Sequence, residues 1–508
     1  MTRPLRLAEF IAALSLATDL GMGQPLEQGL RTCLVALELA DAAGAEEVAA
    51  ETYYTALLRF LGCTADAFES AQLAGNDIAL RSAIAPVLGA SPGTFLRAVM
   101  PALGAGLSAG QKAALRAAFL ATGPARLRAG VRAHCEAAEM LASRLDLPLG
   151  VRSAMGAAFE QWNGRGFPNG LRGESIPLAA RVVAIARDVE VIARMAGAEA
   201  VKAALLERAG KSYDPGLAPV ALAHLERLLE AARTDTAWET ALQREPAPVV
   251  EIPLARVEEV LTVFADFADL KEPQRAGFSR AVAALAASAV PERAERLRLA
   301  GLAQDLGRVC MPSSHDRRLG SHDPRLGPLV EERLRLHPYY SERILVRVPA
   351  LEPLARLAGL HHECLDGSGY YRGALASEIP WEARVLAAAD AFQENLVGAP
   401  GLPVATLQQA ADSLARLAPT KLDRDAVDAV LAAAGIRGHS PRAHPAGLSE
   451  REVEVLRLLC RGATKKEVAL ALTISTSTAD HHVRHIYEKT GVSSRAAVTL
   501  FAVDHELL

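Results

Sequence analysis

Adjacent histidines, a carboxylate and a Gly-x-Gly turn form the run His361-His362-Glu363-Cys364-Leu365-Asp366-Gly367-Ser368-Gly369-Tyr370-Tyr371, in a chain otherwise rich in Ala and Leu. Imidazole and carboxylate donors gathered in one place suit Zn, Fe or Mn, and such an ion lowers the pKa of the water bound to it. Asp305, His337, His361, His362 and Asp390 are the candidate ligands. A lone histidine is more often a surface group or an ordinary hydrogen-bonding partner. Two side by side, next to Glu and Gly-x-Gly, weigh more heavily toward a ligand set.

The unit occurs twice. A step back of 203 residues carries His337 onto His134, Glu363 onto Glu160 and Asp366 onto Asn163. The same step carries Gly367 and Gly369 onto Gly164 and Gly166, Pro380 onto Pro177, and Arg384 onto Arg181. A fixed offset held without a gap from His134 to Arg181 marks a duplicated domain. The first copy has lost most of its chemistry: the paired histidines fall on Ala158-Phe159 and the Asp390 position on Arg187. No cofactor is expected there. Its retained Gly164 and Gly166 turn, with a buried Trp162, suggests a scaffold kept for packing, pairing or ligand binding.

Helices must position these residues. Apolar residues recur at helical spacing through Leu30, Leu34, Leu37 and Leu39, and again through Tyr54, Leu57, Leu58 and Leu61. Gly89, Pro92, Gly104 and Gly110 break the Ala/Leu-rich run that follows. Almost nothing alternates with the period of a strand, so the fold class is all-α. At 508 residues, and about 150 per domain, some three domains are expected. Pro246, Pro248 and Pro253 mark one linker, and the His-, Pro- and Gly-rich stretch from Gly435 to Gly447 a second. The expected domains are therefore 1–245, 254–433 and 446–508.

Hydrophobic residues at 50% and charged ones at 22% support packed cores rather than disorder. A formal net charge of −4 supplies no global field for nucleic acid, so any DNA contact must be local. Six cysteines without a Cys-x-x-Cys pair fit reduced thiols in the cytoplasm. Glu9 and Asp19 interrupt the first apolar run, against a signal peptide, and no run approaches the ~20 apolar residues that span a bilayer. No membrane partner is expected.

Gln304-Asp305-Leu306-Gly307-Arg308, His337-Pro338, His361-His362-Glu363 through Gly369-Tyr370, and Ala389-Asp390 resemble the HD-GYP phosphohydrolases. That resemblance implies an all-α, metal-dependent fold acting on cyclic di-GMP, over about residues 255–400 and more weakly over 10–190. The departures are specific. The family's signature His-Asp is Gln304-Asp305, its upstream helix histidine falls on Phe278, and its Gly-Tyr-Pro is Gly369-Tyr370-Tyr371. In the first copy the His-Asp position falls on Arg59-Phe60. Phe has no donor atom and a Gln amide is a poor ligand for a borderline ion. By the resemblance, one ion keeps Asp305, His337, His361 and His362, while the second loses its imidazoles. The two-metal clamp for phosphodiester cleavage is then broken and one divalent ion (Mn, Fe or Zn) is expected in the second copy. Asp305 and Arg308 are the residues to carry catalysis if any survives, with Arg308 pairing a phosphate. Gly367, Gly369 and Tyr370 shape the ligand turn.

The tail opens on Leu448-Ser449-Glu450-Arg451-Glu452, where Ser449 and Glu452 form a capping box. A short helix near Lys465–Leu472, a turn at 473–475 and a longer helix near 477–490, stopped by Gly491, follow the helix-turn-helix plan. Leu448–Leu456, Lys465-Lys466-Glu467-Val468-Ala469, His482-Val483, Ile486, Lys489 and Gly491-Val492-Ser493-Ser494-Arg495 resemble the LuxR-type DNA-binding domain. The expected contacts to double-stranded DNA are Lys465, Lys466, Ser475, Thr476, Thr478, His481, His482, Arg484, His485 and Lys489, with Val483, Ile486 and Tyr487 facing the core. A solvated histidine face is the plainer alternative, and Asp480 favours it by repelling phosphates.

Together these features point to a cytoplasmic, homodimeric transcriptional regulator whose degenerate domains sense or dimerise, with a nucleotide as ligand. Two alternatives stand beside it: a working cyclic di-GMP phosphodiesterase carrying a DNA-binding tail, and a pure dimerisation scaffold.

Overall fold

The computed structural model describes residues 5–104, 108–313, 328–397, 405–435, 445–472 and 474–508. It divides into two compact units, Met1–Val257 with Pro312–His315, and Glu258–Met311 with Asp316–Leu508. Both are helical, as the periodicity implied. Among the described residues, extended structure in named strands is confined to one antiparallel pair, Leu5–Arg6 against Glu251–Ile252, with Leu5 opposite Ile252. The pair closes the first unit by joining its two ends. Residues 436–444 of the expected second linker lie outside the described residues.

In the first unit, helices Leu7–Gly21, Gln28–Ala42 and Ala49–Leu58 bury most of their side chains, with Phe10, Ile11, Leu30, Leu39, Leu57 and Leu58 wholly enclosed. Each such side chain contributes about 1.5–3 kcal/mol. The long helix Ala109–Arg144 presents His134, and Leu178–Ala196 presents Arg187.

The second unit repeats the plan. Phe278–Ala289 packs on Ala294–Ala303 at Gly301, where a Cβ would lie only 2.7 Å from the Ala283 Cα. The chain then leaves the helix at Gln304-Asp305 and tightens into a 3-10 turn, Leu306–Cys310. Gly307 sits so close to the helix Pro328–Leu345 that a Cβ would meet the His337 carbonyl oxygen at 2.2 Å. Two glycines thus bring three helices near enough for side chains from each to converge.

The duplication holds in three dimensions. Gly62 approaches the His134 carbonyl oxygen as Gly307 approaches that of His337, with a Cβ at 1.9 Å. Glu160 accepts from the backbone N–H groups of Asn169 (2.7 Å) and Gly170 (3.1 Å); Glu363 accepts from those of Arg372 (2.7 Å) and Ala374 (2.8 Å). In both copies this glutamate holds the turn together. Trp162, expected to be buried, is half-exposed, with the Arg181 guanidinium 5.7 Å from its ring centre.

The tail forms helices Glu450–Cys460, Lys465–Ala471, Thr476–Thr490 and Arg495–Asp504. Ser449 and Glu452 make the capping box, and Gly491 ends the third helix at φ +71°. Val453, Leu456, Val468, Ala479, Val483, Ile486 and Val498 form the core, with Tyr487 packed against it. All six cysteines are unpaired, and no described helix is long and apolar enough to cross a membrane.

Candidate metal centre and nucleic-acid interface

His337, His361 and His362 come together from two segments 24 residues apart, each within 4.8 Å of the others through a ligand atom. The Nδ1 of His337 lies 2.6 Å from the Leu334 carbonyl, and that of His361 lies 2.6 Å from the Ala358 carbonyl. A carbonyl can only accept, so each Nδ1 carries the proton and each Nε2 turns a lone pair inward. The two Nε2 atoms are 3.2 Å apart, and they lie 3.2 and 3.5 Å from the Asp305 Oδ1. Three acceptors therefore face one another, and Asp305 Oδ1 is buried with no hydrogen-bond donor. Such a convergence repels itself unless a cation or a proton lies inside it. Nδ1–H bonds to backbone carbonyls are also how ligating histidines are oriented. These residues fit a divalent ion.

Asp390, the remaining candidate ligand, stands at the edge. Its Oδ2 is 3.7 Å from His362 Nδ1, and its Oδ1 accepts from Gln304 Nε2 at 2.7 Å. Gln304 thus spends its donor on Asp390, while its own Oε1 has no partner.

A second cation is already present in the protein. Arg275 donates to Asp305 Oδ2 at 2.5 Å and to Glu394, and its guanidinium stacks 3.5 Å from the Phe278 ring centre. It is 3% exposed, so these are desolvated charges of the kind that hold each other strongly. Nothing in the sequence reading marked it. The available signal was a basic residue three positions before Phe278, the aromatic standing where a ligand was lost.

Electrostatics follow the packing. Burial alone would raise Asp305; the Arg275 guanidinium, with His337 and His361 close beside the carboxylate, outweighs it and holds the carboxyl well below its ordinary range. Burial lowers His337 to about 4, and burial with the imidazoles of His361 and His337 holds His362 well below its ordinary range. Burial would lower His361 too, but its contact with Asp305 wins and raises it. Burial, with Asp305 and Glu394 nearby, lifts Asp390 to about 7.

Arg308 departs from the expectation of a free phosphate partner. It is buried, and its Nε donates to Glu272 Oε1 at 3.1 Å, because the 3-10 turn aims it inward. Its Nη2 is buried without a partner, as is the Tyr370 hydroxyl. The Tyr370 ring lies 4.8 Å from that of His362 and covers it. Gly369 permits this fold-back, since a Cβ there would sit 2.4 Å from the Cys364 amide nitrogen; Gly367 adopts φ +74°. In the first copy, Gly166 is equally close to Gln161 (2.2 Å) and Gly164 has φ +78°.

On the tail, Thr478, His481 and Arg484 are exposed along the outer face of Thr476–Thr490, with His482 and His485 half-buried. His481 and His485 stack with ring centres 4.0 Å apart. Ser475 caps the helix, its Oγ accepting from the Thr478 N–H at 3.0 Å, and Thr476 follows it exposed. Lys466 is exposed, whereas Lys465 and Arg484 (3.1 Å) both pair with Asp480. Asp480 therefore acts by holding two cations rather than as a bare negative charge. Lys489 is tied to Glu452 at 2.7 Å and to the Gly447 carbonyl at 3.0 Å, so it braces the first helix against the third.

A family model described as HD domain matches residues 125–217 and 262–426, and one described as bacterial regulatory proteins, luxR family, matches 446–502. The chain is 27% identical over 397 residues to 3'3'-cGAMP-specific phosphodiesterase 3 of Vibrio cholerae serotype O1, covering 76% of this chain and 85% of that protein. It is 42% identical over 65 residues to the Fimbriae Z protein of Salmonella typhimurium, and 38% over 61 residues to the oxygen regulatory protein NreC of Staphylococcus aureus. Those short matches cover 13% and 12% of this chain, and 31% and 28% of the two relatives. A crystal structure of a cyclic GMP-AMP specific phosphodiesterase of V. cholerae shares the fold, with a TM-score of 0.58 at 22% identity over 86% of this chain and 99% of that one. With one family model matching segments of both helical copies and a second matching the tail, the chain belongs to the HD domain family and carries a C-terminal DNA-binding domain of the bacterial luxR regulators.

Proposed function

We propose that the protein is a DNA-binding regulator whose second HD domain is a one-ion receptor for a cyclic dinucleotide. The observation that carries this reading is Arg275, a guanidinium bonded to Asp305 and Glu394 beside Phe278. Its fixed positive charge takes the side of Asp305 that a second ion would need. Asp305 Oδ1, His337, His361 and His362 would hold the remaining ion, with Asp390 at its rim. When bound, that ion supplies Lewis acidity and a positive charge for a phosphate oxygen. The partnerless Arg308 Nη2 and Tyr370 hydroxyl are the donors this chain offers beside it. Asp305 stays ionised and His337 neutral, the states that coordination requires. The V. cholerae relative, named for a cyclic dinucleotide, supports that ligand class.

In this reading the tail contacts DNA through Lys466, Thr476, Thr478, His481, His482 and His485, with Lys465 and Arg484 supplied when Asp480 releases them. A homodimer is expected because one helix-turn-helix reads a half-site. A second reading, slow hydrolysis at the single ion, is favoured by the phosphodiesterase name of the same relative and by the retained Asp305 with three imidazoles.

One experiment separates them. Full-length protein loaded with Mn²⁺, Fe²⁺ or Zn²⁺ is assayed for ion content, and for binding and hydrolysis of 3'3'-cGAMP and cyclic di-GMP. Receptor function predicts one ion per chain and saturable binding without turnover. Appreciable turnover that disappears in His361→Ala would establish the enzyme instead.

A further inference from the structure

The first copy has exchanged a cation's ligands for cations. Gly62 and Gly307 make the same close approach, to His134 and His337 respectively, so Arg59 and Phe60 stand where Gln304 and Asp305 stand. Phe159 meets His134 edge-on at 5.0 Å and 88°, as His362 meets His337 at 5.0 Å and 83°. Arg187 takes the place of Asp390. The ring packing around His134 follows that around His337, while the charge of the flanking residues is reversed.

That charge is poorly compensated. Arg59 is 4% exposed, and its Nε and Nη1 have no hydrogen-bond partner. Its guanidinium lies 5.3 Å from the Phe159 ring centre and 5.8 Å from that of Phe60. Arg187, also buried, donates to Asp188 and to the Ala85 carbonyl. The other oxygen of Asp188 accepts from Arg208 and from the Tyr213 hydroxyl, both at 2.5 Å. Arg187 and Arg208 therefore share one carboxylate, and among the described residues Arg59 pairs with none. The nearby Arg81 is neutralised separately, by Asp66 (2.8 Å) and Asp77 (3.1 Å). Burial, then Arg187, lowers Arg59 to about 10, which leaves it charged at neutral pH. Buried donors without partners and buried charge without a counter-ion are both costly, and one small anion would remove both costs.

We infer that the degenerate first copy is an oxyanion site, in which Arg59 Nε and Nη1, with Arg187 beside them, take a phosphate group where its sister domain offers a place to a metal ion. The phosphate is either inorganic or carried by a nucleotide, and guanidinium donors suit both. This inference does not depend on the second copy being a receptor.

The test uses full-length protein in chelator, to silence the metal centre. Inorganic phosphate and, separately, AMP are titrated by calorimetry and by thermal unfolding, against chloride at matched ionic strength. Saturable binding of one equivalent of phosphate, raising the unfolding temperature, is expected; tighter binding of AMP would identify a nucleotide as the source. Arg59→Leu should weaken that binding at least thirtyfold. Arg59→Lys, which keeps the charge but replaces the planar Nε and Nη1 donor pair with a single ammonium, should weaken it at least tenfold, and covers the case in which the leucine variant does not fold. His361→Ala should leave it unchanged. Absence of saturable binding of either probe, or equal affinity in Arg59→Lys, overturns the proposal.

Discussion

Arg275 provides the most demanding test of the one-ion centre. Two unit charges about 4 Å apart interact by about 4 kcal/mol at an effective dielectric constant of ~20, so a divalent ion beside the guanidinium would be opposed by about 8 kcal/mol. At about 1.4 kcal/mol per decade, this is nearly six decades of affinity. Restoring imidazoles through Phe278→His and Gln304→His should therefore leave the ion count at one while Arg275 remains. Adding Arg275→Met should raise it to two, since Asp305 Oδ2 and Glu394 are then released. Alone, Arg275→Met breaks a buried pair and should cost about 3–5 kcal/mol in metal-free protein, part of which Mn²⁺ restores. Elemental analysis after dialysis against Mn²⁺, with denaturant unfolding, reads both effects. The reasoning fails if the histidine double variant holds two ions with Arg275 in place, or if Arg275→Met is neutral in the absence of metal.

Three further outcomes follow from the geometry. Asp480→Asn frees Lys465 and Arg484, so DNA should bind more tightly at low salt, with a steeper salt dependence by about one to two released counterions; an unchanged slope in a fluorescence titration would count against those cations as phosphate contacts. Burial would raise the Glu452 carboxyl, but Lys489 and the Ser449 cap outweigh it and lower it from 4.5 to about 2. The stability it contributes is thus present above pH 4.5 and is lost as pH falls from there toward 2. With solvent screening, Glu452→Gln should cost about 1 kcal/mol at neutral pH and flatten that acid dependence in thermal unfolding of the full chain. Gly369→Ala drives a Cβ into the Cys364 backbone at 2.4 Å, and should cost about 3 kcal/mol or more and disturb the Tyr370 cover; a well-folded variant with wild-type metal affinity would contradict the role given to the turn.

Much of this protein is legible in its residues alone. Helical period and the scarcity of alternating runs determine the all-α class, because the burial of one face of a helix leaves its own spacing in the chain. The 203-residue offset reveals the duplication, and Ser449 with Glu452 and Gly491 mark the tail helices through local capping that needs no distant partner. The metal cluster is visible for a similar reason, since adjacent histidines beside Glu363 and the Gly367-x-Gly369 turn stand out in an Ala/Leu-rich chain.

Other features depend on segments meeting across the fold. That Glu363 holds a turn, that Arg308 faces Glu272, and that Lys489 braces Glu452 are matters of direction, and spacing carries no direction for side chains leaving 3-10 turns and loops. Arg275 and Arg59 are the sharpest cases: each is an ordinary arginine in a helix-rich sequence until packing strips it of water. Residue types along the chain determined which groups could bind a cation. The tertiary structure alone decided where a buried guanidinium stands beside them, because the cost of charge depends on the neighbours and the solvent that folding brings or removes.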